Sequence, residues 1–408
     1  LPSKYRDFVH SDTLVTQLVA LADDEITIPI DKQTPFLSAV YAIASSDAVL
    51  CSLQDDNVPD PATVTDARRS LYWTEWLSAM QEELLSLKTK RVYEEIDELP
   101  PGRKAVQCKW VLHVKRDKSG AISWAISRFK ARLVAKNFTQ IPGQDFNFTF
   151  APVARWDSIR TLLCIATLND FEIRQLDVKT AYLNAPLDEE IYMHVPEGFA
   201  FSSRYWRLHK GLYGLRQAGR QWYLTLHDAY TNLGYTRCES DWSVYTRRSP
   251  SAFSMSATSV DDILLASDSK TESDRATSEI NHKFSITDCG DADWILGCRI
   301  TRHRSKRVFM LDQEQFIVTI LHQFGMEHCN PAHTPLPKWR LTSDMSPQSD
   351  SERDAVASLP YCAIVGKCMY LSTCTRPDIT YAIRELARFM SNYGQKHSEA
   401  AKHLLRYL

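Results

Sequence analysis

The stretch SVDDILLA, Ser259 to Ala266, sets two neighbouring carboxylates against an apolar run. Adjacent like charges repel, and taking either out of water is costly unless something positive is bound beside it. An Asp pair by itself reads as a solvated turn, but its flanks narrow the choice. Phe253 to Thr258 alternates apolar and polar residues with period two, and Ile263 to Ala266 is continuously apolar. The pattern predicts strand, acidic turn, strand. A third acid, Asp177, ends a separate predicted strand over Phe171–Leu176.

Three acids at strand ends have a chemical use. Joining a nucleotide to a 3′-hydroxyl requires charge stabilisation on both the attacking and the leaving oxygen, which two Mg²⁺ ions about 4 Å apart supply from opposite sides. Mg²⁺ takes carboxylate oxygens and fills its remaining positions with water and substrate phosphate. Asp177, Asp261 and Asp262 are therefore the candidate metal ligands, and bound cations would resolve the repulsion within the pair.

The chain has 408 residues, 44% of them hydrophobic and 24% charged, which predicts an ordinary globular protein of two or three subdomains. It contains no apolar run of about 18 residues, so no membrane partner is expected. The opening LPSKYRDFVH lacks an initiator Met and a signal-peptide core, and the chain is expected to be a piece of a longer one. The cysteines are scattered without CxxC pairs; Cys362, Cys368 and Cys374 recur every six residues among apolar neighbours. Reduced core thiols and an intracellular location follow, cytoplasmic (in a virus-like particle) or nuclear being left open.

The net charge of −2 hides an asymmetry. From Asp12 to Asp60 acids stand against Lys32 alone, whereas between Arg103 and Lys136 a dense run of Lys and Arg meets only Asp117. That basic block is interrupted by Trp110, Val111, Leu112 and Phe129, so it predicts a folded positive surface suited to nucleic acid or a nucleoside triphosphate. Lysines that guard an exposed strand edge are the alternative.

Residues 1–62 read as an acidic linker or arm. A helix is expected from a cap at Thr65-Asp66 onward, through Trp73, Trp76, Leu77, Met80, Leu84 and Leu87. Strands over 105–114 and 128–135 form a basic hairpin, in which AISWAIS duplicates AIS and adds an even number of residues, preserving strand parity. Further helices are expected after a cap at Asp157-Ser158 and over Trp222 to Leu233.

The stretches KWVLHVK, RFKARLVAKNFTQ, DFNFTFAPVARWDSIR, QLDVKTAYLNAPLDEEIYMHVPEGF, LHKGLYGLRQAGRQW, SVDDILLASD, ILGCRI and YLSTCTRPDITYAI, in this order from Lys109 to Ile383, resemble the reverse transcriptase of copia-type long-terminal-repeat retrotransposons. The resemblance runs from about Trp73 to Leu408. It implies an α+β right-hand polymerase with fingers, palm and thumb, an antiparallel palm sheet and a helical connection at the C-terminus. The implied division is fingers and palm over 63–280, a thumb-like region over 281–345 and a helical connection over 346–408, stopping short of ribonuclease H.

The implied function is RNA-directed DNA polymerisation by two-metal nucleotidyl transfer, with two Mg²⁺ ions, or Mn²⁺ in their place. Implied partners are an RNA template, a DNA primer, dNTPs and the integrase and ribonuclease H parts of the same polyprotein. Asp177 matches the palm aspartate, with Val178 offering a backbone ligand, and Asp261 and Asp262 match the family's Tyr-Val-Asp-Asp turn. Tyr182 matches the aromatic residue that excludes a ribose 2′-hydroxyl. Lys130, Arg132 and Lys136 match the triphosphate-binding cations, Gln217 the residue against template and nucleotide, and Leu296-Gly297 the primer-grip turn.

Four departures gather near the site: Ser259 stands where the family has Tyr, Gly219 where it has Pro, Ser and Ala fill the strand before the acid pair, and AIS is duplicated. Such changes suit a decaying element copy, so a catalytically inactive remnant that keeps the fold and binds nucleic acid is the alternative function.

Overall fold

The structure is a computed structural model that describes residues 60–116 and 126–408. Nearly all of the acidic arm, and most of the AIS duplication, lie outside the described residues. Two compact units are present: the larger runs through His328 and includes Leu371–Pro377, and the smaller comprises Cys329–Tyr370 and Asp378–Leu408.

The larger unit opens with α1 (Val64–Arg69), capped by Thr63, two residues earlier than expected. The Thr63 hydroxyl accepts from the Asp66 amide at 3.1 Å while the Asp66 carboxylate accepts from the Thr63 N–H at 3.1 Å, satisfying two orphan donors reciprocally. Helix α2 (Trp73–Thr89) buries Trp76, Met80 and Leu87 completely. Strand β1 (Tyr93–Ile96) precedes the basic hairpin of β2 (Cys108–Arg116) and β3 (Ile126–Ala135), whose register is unbroken from Cys108 opposite Ala135 to Lys115 opposite Arg128. Alternation along β3 buries Ala131, Leu133 and Ala135 and leaves Lys130 and Arg132 half-buried on the other face.

Helix α3 (Trp156–Leu168) begins at Arg155, so Asp157 lies in its first turn rather than at its cap, where its charge still favours the helix dipole. Next come β4 (Glu172–Val178), β5 (Pro186–His194), β6 (Tyr205–Lys210) and α4 (Ala218–Asn232), which starts four residues before Trp222. Strands β7 (Thr236–Arg237), β8 (Val244–Ser249), β9 (Ala252–Ser259) and β10 (Asp262–Ser267) are followed by α5 (Lys270–Lys283) and β11 (Ile286–Asp291). They assemble, with β4, into a six-stranded sheet in the order β11-β4-β10-β9-β8-β7, every pairing antiparallel. Strands β1, β6 and β5 form a separate three-stranded sheet.

The large sheet packs Leu176, Ile263 and Leu265 against Trp222, Tyr230, Ala276 and Ile280 of the two helices α4 and α5. The serines of β9, poor strand formers in isolation, have a packing role here. Ser256 Oγ lies 2.7 Å from the buried Tyr230 hydroxyl, Ser254 Oγ lies 3.0 Å from that of Tyr235, and Thr258 donates to the Ser243 carbonyl at 3.2 Å. Small residues leave room for the tyrosines and satisfy their hydroxyls.

Strands β12 (Trp294–Ile295), β13 (Cys298–His303) and β14 (Val308–Asp312) form a third sheet, followed by α6 (Glu314–Gln323). Strand β13 and the basic loop after it close the end of α3. Arg302 donates to the carbonyls of Phe171 at 2.7 Å and Ala166 at 3.3 Å, and Arg307 to that of Leu168 at 2.8 Å, where orphan carbonyls and the dipole both favour cations.

The smaller unit carries α7 (Asp350–Ala357), the start of α8 (Tyr361–Cys374), α9 (Thr380–Ala387) and α10 (Gln395–Tyr407). Buried His397 ties it together: its Nδ1 accepts from the Gly394 amide at 3.0 Å and its Nε2 faces the Thr342 carbonyl at 3.1 Å. Among the described residues no single helix is long and apolar enough to cross a membrane.

Candidate active site

Asp262, the first residue of β10, lies directly opposite Asp177 of β4. On its other side it faces Ser259 of β9, and Thr287 of β11 faces Asp177. The row Ser259, Asp262, Asp177, Thr287 thus crosses four strands. Facing residues of antiparallel strands have Cα atoms about 4.5–5.5 Å apart and side chains on one face. Gln175, two residues before Asp177, shares that face and donates to Asp262 Oδ1 at 3.2 Å.

Ser259 and Asp262 close a two-residue turn whose first residue, Val260, has φ +52°. A β-branched side chain is strained there. The turn is held from both sides: the Trp222 indole N–H donates to the Val260 carbonyl at 2.8 Å, and the Val178 amide donates to the Asp261 carbonyl at 2.8 Å. Asp261 Oδ1 is shut off from solvent. Its charge acts on Tyr182 and Tyr213, in each case the largest influence after burial.

Of the three expected carboxylates, Asp177 and Asp262 are directly opposed, and Asp261 adjoins Asp262 at the turn. Among the described residues no group of three His, Cys, Asp or Glu side chains could hold a metal ion. Asp262 shares the sheet face with Asp177, and the charge of Asp261 also reaches the two tyrosines. Two like-charged oxygen donors facing each other at Asp177 and Asp262 suit Mg²⁺. Val178, the expected backbone ligand, is buried one residue beyond Asp177.

Tyr182 sits on a short 3₁₀ turn, Ala181–Asn184, that begins from a left-handed Thr180 with φ +51°. The turn is braced by Asn184, whose Oδ1 accepts from Lys90 Nζ at 2.7 Å, and by Gly211, where a Cβ would lie 2.8 Å from the Tyr182 carbonyl oxygen. Burial first, then the Asp261 charge, push the Tyr182 phenol up to about 12, with Arg132 opposing. Tyr182 meets Tyr213 edge-on at 4.9 Å, and the Arg132 guanidinium lies 4.8 Å from the Tyr213 ring centre. Behind the strand, Glu83 accepts the Leu133 amide at 3.3 Å. Its pKa is raised by burial and drawn back by that amide, Arg132 and Lys130.

The remaining expected residues lie on or just past β3, at the start of α4 and in the turn between β12 and β13. Lys130 and Arg132 share one face of β3, but Lys136 lies past the strand end, where its Nζ donates to Gln107 Oε1 at 3.3 Å. Gln217 is fully buried: its Nε2 donates to the Asp145 carbonyl at 2.6 Å and to Glu189 at 3.2 Å, and its Oε1 accepts from Gln140 at 3.1 Å. It fastens the 140–145 loop to the start of α4. Leu296 and Gly297, with φ +47° and +74°, form the two-residue turn between β12 and β13, the positive-φ geometry that tight hairpins prefer.

Tyr213 and Trp222 escaped the reading of motifs. Trp222 stands in the sequence only as the first residue of the helix expected over Trp222 to Leu233. Tyr213 was hidden in GLYGL, although the glycines on either side signal close backbone approach.

The family model for reverse transcriptase (RNA-dependent DNA polymerase) matches residues 90–338. The retrovirus-related Pol polyprotein from transposon TNT 1-94 of Nicotiana tabacum is 40% identical over 337 residues, which are 81% of this chain and 25% of that protein. The Pol polyprotein from transposon RE1 of Arabidopsis thaliana is 33% identical over 82% of this chain and 22% of its own length. This chain thus spans about a quarter of these relatives. A putative transposon Ty5-1 protein of Saccharomyces cerevisiae is 31% identical over 57% of this chain and 75% of its own length. The foamy viral protease-reverse transcriptase, solved with double-stranded DNA, aligns at a TM-score of 0.37 and 10% identity over 81% of this chain and 48% of that one, too distant to bear on the fold. On the match over 90–338, the chain belongs to the reverse transcriptase (RNA-dependent DNA polymerase) family, in the form carried by copia-type transposon Pol polyproteins.

Proposed function

We propose that this chain adds deoxynucleotides to a DNA primer 3′-hydroxyl on an RNA or DNA template, inside the cell and as one part of a polyprotein that also carries integrase and ribonuclease H. The observation that carries the reading is the direct opposition of Asp177 and Asp262 across two strands. Like charges facing each other are destabilising, and a cation between them removes the penalty.

In this reading Asp177 and Asp262, with Asp261 beside them, hold Mg²⁺ or Mn²⁺. The bound metal supplies charge stabilisation at the attacking and leaving oxygens. Lys130 and Arg132 meet the triphosphate, Arg as a planar fork and Lys as a point charge. Tyr182 screens the sugar, its ring barring a ribose 2′-hydroxyl. Gln217 keeps the fingers loop on α4 beside the template path, and the Leu296-Gly297 turn supports the primer through its backbone.

The test is extension of a primed RNA by the purified chain with Mg²⁺ and dNTPs, alongside Asp177→Asn. Extension by the wild type alone is expected. A folded wild type that binds the primed duplex in a salt-sensitive manner, yet extends nothing, would overturn the reading in favour of an inactive remnant.

A further inference from the structure

We propose that Tyr213 is a positioning residue that links nucleotide grip to sugar selection, its ring wedged between the Arg132 guanidinium and the Tyr182 ring. The proposal rests on the polymerase reading given above. The two contacts are geometric: 4.8 Å from Arg132 to the Tyr213 ring centre, and 4.9 Å at 65° between the two tyrosine rings. A cation over an aromatic face is attracted by the ring quadrupole, and an edge-on aromatic pair has a defined orientation. One side chain therefore fixes both the triphosphate cation on β3 and the ring that screens the sugar.

Tyr213 itself is held by backbone. Its carbonyl accepts from the Ala135 amide at 2.8 Å at the end of β3. Gly214, with φ +85°, lets the loop press onto that strand, for a Cβ there would lie 2.1 Å from the Ala135 carbonyl oxygen. Leu212 and Leu215, buried on either side, anchor the segment. The ring is thus placed by its neighbours, and trimming it should leave the loop in position. The Tyr213 hydroxyl, raised well above the ordinary phenol value by burial and then by Asp261, stays neutral and adds no charge beside the acids.

The test compares Tyr213→Leu, Tyr213→Phe and Arg132→Lys. Tyr213→Leu should raise KM for dNTP by about 3- to 30-fold, the span of a cation–π contact, narrow the preference for dNTP over rNTP, and leave kcat within about twofold. Tyr213→Phe should behave as wild type, since the ring and not the hydroxyl makes both contacts. Arg132→Lys should raise KM at least as far, because the planar fork is lost with the ring contact, and combining it with Tyr213→Leu should cost less than the sum, because the ring contact is lost in both. Unchanged KM and selectivity in Tyr213→Leu, or in Arg132→Lys should the Leu variant not fold, overturns the proposal, as does additivity of the two. Calorimetry with inorganic tripolyphosphate separates it from the polymerase reading. If wild type binds tripolyphosphate but extends no primer, that reading fails, and Tyr213 still stands or falls on whether Tyr213→Leu binds tripolyphosphate more weakly. If wild type does not bind it, Arg132 is no anion seat and the proposal falls.

Discussion

The indole N–H of buried Trp222 donates to the carbonyl of Val260 at 2.8 Å, fixing the corner of the acidic turn from the helix packed against the sheet. A left-handed conformation costs an ordinary residue about 1–2 kcal/mol, and a hydrogen bond contributes about 0.5–1.5 kcal/mol. The bond and the strain at Val260 are therefore of similar size.

Trp222→Phe keeps an aromatic filler but removes the donor, so the turn should relax and carry Asp261 and Asp262 out of place. Primer extension should fall about tenfold in kcat, with the thermal midpoint lowered by the loss of about 1 kcal/mol. Adding Val260→Gly, which abolishes the strain, should recover part of the activity. Wild-type kcat in Trp222→Phe would show that the turn holds itself.

Asp262→Asn separates repulsion from metal binding. Without divalent ions the carboxylates of Asp177 and Asp262 face each other, a like-charge pair that costs about 0.2–1 kcal/mol. In EDTA the Asn variant should melt above wild type. Mg²⁺ should then raise the wild-type midpoint, by stabilising the state that binds it, and leave the variant unmoved. Extension should drop by about two to three orders of magnitude. A variant that melts no higher in EDTA would mean the opposed carboxylates do not repel.

What the sequence disclosed follows from range. The period-two run over Phe253–Thr258 and the apolar run from Ile263 located β9 and β10 to within a residue or two, because strand alternation is written locally. The register that sets Asp262 against Asp177 joins strands far apart in sequence and is decided by packing; it became legible only through resemblance. Gln217 shows the same limit, since its partners come from the 140–145 loop and from Glu189 of β5, which no local pattern connects. The end of β3 at Ala135, just before Lys136, was legible because strand composition is local.

The serines of β9 bear on whether its composition reflects decay. Ser256→Ala would strand the hydroxyl of Tyr230, which is 1% exposed. The expected cost is about 1–3 kcal/mol, the penalty of a buried polar group without a partner. Tyr230→Phe in the same chain should return stability close to wild type, because removing both partners leaves nothing unsatisfied. Chemical denaturation of the single and double variants measures this. A neutral Ser256→Ala would make the serine dispensable and the decay reading stronger.

His397 gives the smaller unit a pH dependence whose sign can be worked out. Burial lowers its pKa from the ordinary 6.5, with the Thr342 carbonyl opposing. The neutral ring accepts the Gly394 amide on Nδ1, and protonation of that nitrogen would break the bond. Below 6.5 the unfolded chain takes up a proton that the folded chain refuses, so the unfolded state binds more protons and stability falls as pH falls. The contribution is complete above about 6.5 and is lost progressively from there down to the lowered folded value. His397→Gln has no such titration. Its thermal midpoint should lie below wild type at pH 8, and the gap should close as the pH drops from 7 to 5. A gap that stays constant or widens across that range would show that His397 titrates no differently in the folded chain than in the unfolded one.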